Sequence, residues 1–172
     1  MELQQQIIKF SDSLRAEKID SIIAYKISYP DSAYKIDSCA NGSFPTSTYL
    51  IWTEAAGCYY KMFKGKCSSA VKKLPDSKLF DFYKEYDSVI SKECFMPIII
   101  SAQYQESGQI QYLTTMTSHE PFYSISYIMG QTHKKFYFST GEIYNEINIF
   151  HRDNLDLHTY KWWTLIKQEI TP

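Results

Sequence analysis

Strand-like segments follow one another directly along most of this sequence, and only short turns separate them. Five such runs occupy the second half of the chain, at residues 98–104, 110–118, 122–129, 134–139 and 142–149. Strands joined by short turns pair as antiparallel neighbours, whereas parallel strands need a long crossover between them. We therefore predict a β-meander in this half and an α+β fold rather than an alternating βαβ fold.

The first half contains a β-hairpin as its clearest local signal. Four strands are predicted there, at residues 22–29, 33–38, 48–54 and 58–64. The last two flank a short connection that ends in Gly57, a residue that can take a positive φ at no steric cost. Trp52 and Ile51 are adjacent in this hairpin, so their side chains are expected on opposite faces of the sheet.

Three amphipathic helices are predicted, at residues 2–18, 77–92 and 156–169. In each of them apolar residues recur at intervals of three and four, which places them on one helical face. No linker rich in Pro, Gly or Ser divides the chain, so residues 1–172 are expected to form a single domain. The prediction is a bent, mostly antiparallel sheet of about eight or nine strands covered by these helices.

The composition is unusual only in its aromatic content, which is 16% of the 172 residues and includes fifteen tyrosines. Aromatic side chains favour the half-buried surface of a sheet, so most of them are expected in the core. The formal net charge is −1, and no basic patch of the kind that binds nucleic acid is present. A nucleic-acid partner is therefore not predicted.

Localisation and cysteine chemistry are inferred from what the sequence lacks. No apolar run is long enough for a transmembrane helix or a signal peptide, so we expect a soluble, cytoplasmic protein with no membrane partner. The four cysteines form no C-x-x-C pair, and in a reducing compartment they are expected to be free thiols. Neither a metal ion nor a cofactor is predicted.

The densest group of acid–base side chains lies near the C-terminus. The catalytic candidates there are Glu146, His151, Asp153 and His158. Histidine and carboxylate side chains can bind a metal ion or transfer protons, so a metal-dependent hydrolase or nuclease is one hypothesis. Their spacing matches no known catalytic signature, and the chain lacks phosphate-binding and nucleophile motifs. An enzyme is therefore not favoured.

Binding through aromatic side chains is the favoured hypothesis. Trp52, Trp162 and Tyr127 are the candidates for a binding surface, because aromatic rings with a polar group are common at interfaces. The predicted function is a non-catalytic protein-binding domain, of the kind found in immunity proteins and other inhibitors of toxins or defence proteins. The alternative is a domain that binds a small molecule or nucleotide in an aromatic-lined pocket. A homo-oligomer formed through an edge strand, with residues 33–38 as the candidate, is also open.

Overall fold

The computed structural model of the protein describes residues 2–19, 21–29, 46–115, 120–129 and 132–170. In this part of the chain the helices are α1 (Leu3–Ala16), α2 (Lys78–Ile90), α3 (Thr140–Tyr144), α4 (His151–Asp156) and α5 (His158–Ile170). The strands are β1 (Ser21–Ser28), β2 (Thr46–Glu54), β3 (Gly57–Lys64), β4 (Cys67–Ser68), β5 (Lys72–Lys73), β6 (Ile99–Tyr104), β7 (Ile110–Thr114), β8 (Phe122–Met129) and β9 (Thr132–Ser139). The predicted α+β class and the mostly antiparallel sheet are confirmed. The strand predicted at residues 33–38, with the edge pairing suggested for it, lies outside the described residues.

Seven strands form one antiparallel sheet with β1 near its centre. The order is β4-β3-β2-β1-β8-β9, and β5 also pairs with β3. Ile23 of β1 lies opposite Ile51 of β2 on one side and opposite Tyr127 of β8 on the other. The C-terminal strands thus join the sheet beside the first strand of the chain.

The β2–β3 hairpin forms as the sequence predicts. Glu54 lies opposite Gly57, so only two residues connect the strands, and Gly57 has a φ of 132°. This φ favours glycine, whereas a Cβ at position 57 would meet only the flexible end of the Lys73 side chain, 3.0 Å away at Cε. Ile51 and Trp52 belong to different hydrophobic clusters on opposite faces of the sheet, as predicted.

One face of the sheet is covered by α2 and α5, which pack against each other and against β1, β2, β8 and β9. The indole nitrogen of Trp162 donates to the Leu79 carbonyl oxygen at 2.8 Å, and that of Trp163 donates to the Tyr25 hydroxyl at 3.0 Å. Burial raises the pKa of Tyr25 far above its usual range. Both tryptophans thus have their polar atoms satisfied inside the core, which fixes the position of α5.

The opposite face is covered only in part. Helix α1 packs there over β1, β2 and β3, with the ring centroid of Phe10 lying 5.4 Å from that of Trp52. On β8 and β9 the same face carries Phe122 and Tyr137, and both are exposed. No helix among the described residues is long and apolar enough to cross a membrane.

Two parts of the sequence-based prediction are wrong. The predicted strand at residues 142–149 is instead α3 followed by a loop, because Ser139 and Glu142 form a capping box that begins a helix. The Ser139 hydroxyl accepts from the Glu142 amide at 3.4 Å, and the Glu142 carboxylate accepts from the Ser139 amide at 2.6 Å. The predicted five-strand meander also fails, because β6 and β7 pair only with each other in the described structure.

Candidate interaction surface

The four candidate catalytic residues do not form a common site. Glu146 and Asp153 are exposed, and His151 begins α4 with its Nδ1 atom buried and without a hydrogen-bond partner. His158 begins α5 and contacts a glutamate that is not among the candidates. Within the described ranges, no group of three or more His, Cys, Asp or Glu side chains could hold a metal ion.

The partner of His158 is Glu93, which caps the N-terminus of α5. Its carboxylate accepts from the backbone amides of His158 at 3.0 Å and Thr159 at 2.8 Å, and from the Thr159 hydroxyl at 2.9 Å. The ring Nδ1 of His158 lies 3.0 Å from the same carboxylate. Burial raises the pKa of Glu93, but the hydrogen bonds from Thr159 and His158 outweigh it and hold the pKa below its usual value. His158 therefore has a structural role at a helix cap.

The three aromatic candidates for a binding surface are core residues. Trp52, Tyr127 and Trp162 are buried, with at most 2% of each side chain exposed. Tyr127 packs against Tyr83 of α2 with ring centroids 4.0 Å apart. Trp162 packs against the same tyrosine, with ring centroids 4.7 Å apart. Helices cover the sheet on both sides of these rings, so none of the three can contact a partner from the surface.

The cysteines differ from one another in environment. Cys58 is a free thiol buried in β3, and burial raises its pKa. Cys94 is free and exposed. Cys67 of β4 is disulfide-bonded, so the expectation that every cysteine is free is wrong for this one.

Among the described residues, a group of exposed apolar side chains lies on the hairpin formed by β6 and β7, which we call the ribbon. All residues from 102 to 114 are exposed, including Tyr104 at 83%, Leu113 at 58% and Tyr112 at 52%. Apart from the β6–β7 pairing itself, the ribbon makes no extensive contact with another helix or strand of the described structure. It therefore extends from the body of the protein with both faces open to solvent.

The ribbon is amphipathic across its two faces. Tyr104 lies opposite Ile110, and Ala102 lies opposite Tyr112, so one face is apolar and aromatic. The other face carries the pairs Gln103–Gln111 and Ser101–Leu113 and is mostly polar. Between residues 99 and 114 the sequence has a single charged residue, Glu106, which lies in the turn.

Two buried asparagines anchor the base of the ribbon to the body. The Asn154 side chain forms two hydrogen bonds with the Met96 backbone. It accepts from the Met96 amide at 2.8 Å and donates to the Met96 carbonyl at 2.9 Å. Asn154 also donates to the Glu142 carbonyl at 2.8 Å. Asn148 accepts from the Ile99 amide at 3.1 Å, at the first residue of β6. These bonds hold the start of β6 against α3 and α4.

The sequence predicts the two strands of the ribbon, at residues 98–104 and 110–118, but not the exposure of their apolar face. Residues 99–114 alternate between aromatic or aliphatic and polar side chains, and they are nearly free of charge. Such a pattern is typical of a strand pair, but it does not show whether the apolar face is buried. In the described structure β8 pairs with β1 instead of β7, so the ribbon is separate from the main sheet, and no helix packs extensively on its apolar face.

Open depressions of about 400 Å³ flank the β2–β3 turn. One is lined by residues 17–19 and 53–55, and the other by residues 53–58 and 73–77. No Tyr, Phe or Trp side chain lines either of them, so neither has the aromatic lining expected for the alternative small-molecule site.

No protein family, no curated protein and no solved structure matches this chain.

Proposed function

We propose that this protein is a non-catalytic protein-binding domain and that the aromatic face of the ribbon is its contact surface. The observation that carries the proposal is the exposure of Tyr104, Ile110 and Tyr112 on one face of a projecting β-hairpin. Exposed apolar groups of this size are costly to leave in water, and contiguous ones mark interaction sites.

The shape and charge of the ribbon favour a protein as the partner. A small-molecule site is a concave pocket, whereas the ribbon projects outward. Nucleic acid is bound through lysine and arginine, and residues 99–114 contain neither. Tyrosine with serine, glutamine and glycine is a composition suited to protein surfaces, because tyrosine offers a large contact area with few rotatable bonds.

The role that this surface fits best is inhibition. A protein of the immunity or inhibitor type needs only a rigid body that presents one exposed surface to a toxin or defence protein, and it needs no catalytic group. The two anchoring asparagines and the packed core supply the rigid body. This assignment is a proposal from the surface and not from a resemblance to any known inhibitor.

The test begins with a photo-reactive phenylalanine analogue at position 104, introduced into the protein in its source organism. Position 137 serves as the matched control, because Tyr137 is also an exposed strand tyrosine but lies on the main sheet. A protein cross-linked from position 104 and not from 137 is then purified, and its affinity for the wild-type domain is measured by calorimetry. If that protein is a toxin, inhibition of its activity is measured in the same samples.

Replacement of the two ribbon tyrosines then tests the contact itself. Tyr104→Ser combined with Tyr112→Ser is expected to weaken binding by about 2 kcal/mol or more, which is about thirtyfold in Kd. Tyr137→Ser is expected to leave Kd unchanged. If no protein is cross-linked specifically from position 104, or if the double variant binds as tightly as Tyr137→Ser, the ribbon is not the contact surface.

A further inference from the structure

We propose that two copies of this chain pair along β7 in an antiparallel, two-fold arrangement centred on Tyr112. The interface is the hydrogen-bonding edge of the ribbon and not its aromatic face, so the inference goes beyond the proposed function and does not require it.

The edge of β6 that faces away from β7 is partly occupied by the body of the protein. The Ile99 carbonyl oxygen accepts from the Ile149 amide at 2.9 Å, and the Ile99 amide donates to the Asn148 side chain at 3.1 Å. In the described structure β7 pairs only with β6. Among the described residues, the outer edge of β7 is therefore open along the strand, whereas the outer edge of β6 is occupied at its base.

The hydrogen bonds of the ribbon determine which groups of β7 point outward. The Gln105 amide donates to the Gln109 carbonyl at 2.9 Å at the turn end of the hairpin. Bonded and non-bonded pairs alternate along antiparallel strands, so residues 111 and 113 direct their backbone groups toward β6. Ile110, Tyr112 and Thr114 direct theirs to the outer edge. Ile99 of β6 lies opposite Thr114, and its amide and carbonyl also point away from the partner strand. This is the pattern expected if the backbone groups of Thr114 point to the outer edge of β7.

These outward groups define a self-complementary register. When two β7 strands run antiparallel about a two-fold axis, Tyr112 lies opposite Tyr112 of the second copy. Ile110 then lies opposite Thr114, and both are hydrogen-bonding positions. Gln111 lies opposite Leu113 of the second copy on the polar face. All three outward residues of each copy find a backbone partner in this arrangement.

The charge pattern favours a second copy at this edge. Residues 110–114 carry no charged side chain, so two β7 strands meet without repulsion. Strand β9, which pairs only with β8 in the described structure, carries Lys134 and Lys135. Lysines on an edge strand oppose pairing with another chain, and they protect β9 in a way that β7 lacks.

Pairing of two copies is also expected to stabilise the ribbon. A two-stranded hairpin without further support is marginally stable in water, whereas three or more strands are self-supporting. The dimer converts two ribbons into a four-stranded sheet and places both aromatic faces on the same side. Five residues of edge contact bury less than the roughly 800 Å² per partner of a stable complex, so dimerisation is expected to be concentration-dependent.

The test uses charge at positions 111 and 113, which face each other across the two-fold axis and lie away from the aromatic face. Gln111→Lys with Leu113→Lys places like charges opposite each other in both symmetry-related pairs. Gln111→Glu with Leu113→Lys places opposite charges there. Dimer dissociation constants of both variants and of the wild type are measured by sedimentation velocity over a wide range of protein concentration, at low and at high salt.

We expect the wild type to dimerise and the like-charge variant to dissociate about tenfold more readily. The opposite-charge variant is expected to recover wild-type affinity. Raising the salt concentration is expected to reduce the difference between the dissociation constants of the two variants, because salt screens the charges. Circular dichroism provides the fold control. A wild type that stays monomeric, equal dissociation constants for the two variants, or open-ended assembly would each overturn the proposal. Partner binding is retained in both variants if the proposed function holds, so the two proposals fail separately.

Discussion

The cap that Glu93 places on α5 is open to a direct test by Glu93→Gln and Glu93→Ala. The carboxylate accepts four hydrogen bonds, and its side chain is only 13% exposed. It lies at the N-terminus of the helix that contributes Trp162 and Trp163 to the core. Loss of the cap should therefore destabilise the whole domain and not just one helical turn.

The magnitude follows from the bonds that are lost. Removal of an N-cap side chain costs about 0.5–2 kcal/mol, and a hydrogen bond to a charged group contributes about 1.5–3 kcal/mol. The amides of a first helical turn can recover part of this from water. We expect Glu93→Ala to lower the free energy of unfolding by about 3 kcal/mol at neutral pH. Glu93→Gln keeps one oxygen acceptor and should cost about half as much.

The lowered pKa of Glu93 determines how the stability contribution of its carboxylate changes with pH. The pKa of Glu93 in the folded protein lies below its ordinary value of 4.5, so ionised Glu93 stabilises the fold. This contribution is complete above pH 4.5 and is lost as the pH falls through the lower, folded-state pKa. The difference in unfolding free energy between wild type and Glu93→Gln, measured by urea denaturation, should therefore be constant near neutral pH and shrink in acid.

A matched control is Glu146→Gln, which removes the same charge from an exposed loop position. Its effect on the unfolding free energy should stay within about 0.5 kcal/mol at every pH. The reasoning is refuted if Glu93→Gln behaves like this control, or if its cost at neutral pH persists unchanged below the folded-state pKa.

Two further predictions concern the anchor of the ribbon and the cysteines. Asn154→Ala should lower the unfolding free energy by about 3 kcal/mol, because a fully buried side chain loses three hydrogen bonds, and hydrogen exchange at the base of β6 should accelerate. Asn145→Ala, which removes one exposed bond to the Ile147 amide, should cost less than about 1 kcal/mol; equal costs would contradict the anchoring role. In native protein a maleimide should label exposed Cys94 rapidly and buried Cys58 only on unfolding, as read by peptide mass spectrometry. Equal labelling rates would show that β3 is not packed as described.

The elements that could be predicted from the sequence are those whose signal is local. The β2–β3 hairpin follows from period-two alternation on both sides of Gly57, and its φ of 132° supplies the physical reason. The three longer helices follow from apolar residues at helical spacing, and their bounds agree with the prediction to within two residues at each end.

The failures concern information that is not local. Residues 142–149 alternate in polarity like a strand, but the capping box of Ser139 and Glu142 begins a helix at that point. The meander failed because β8 pairs with β1, and no feature of β7 or β8 alone excludes their pairing with each other. The exposure of Tyr104 is not predicted either, because the sequence places its strand inside the meander.

The environments of the candidate site residues could not be predicted, because residue type does not determine whether a side chain is buried. Trp162 and Tyr104 are both aromatic, yet one is fully buried and the other is 83% exposed. His158 is a residue type common in catalytic sites, but its partner in the structure is Glu93, 65 positions earlier in the chain. Long-range partners of this kind are set by the packing of α2 and α5, which periodicity does not specify.

The central position of β1 has a consequence for the order of folding. Ser21 pairs with Met129, so one edge of β1 stays without a strand partner until β8 has left the ribosome. The opposite edge is filled by β2, which is much nearer in sequence. Closing so long a loop is slow, and a nascent chain that pauses before β8 presents an open apolar edge to its surroundings. The rate at which this protein reaches its native state should thus be governed by the arrival of its C-terminal strands.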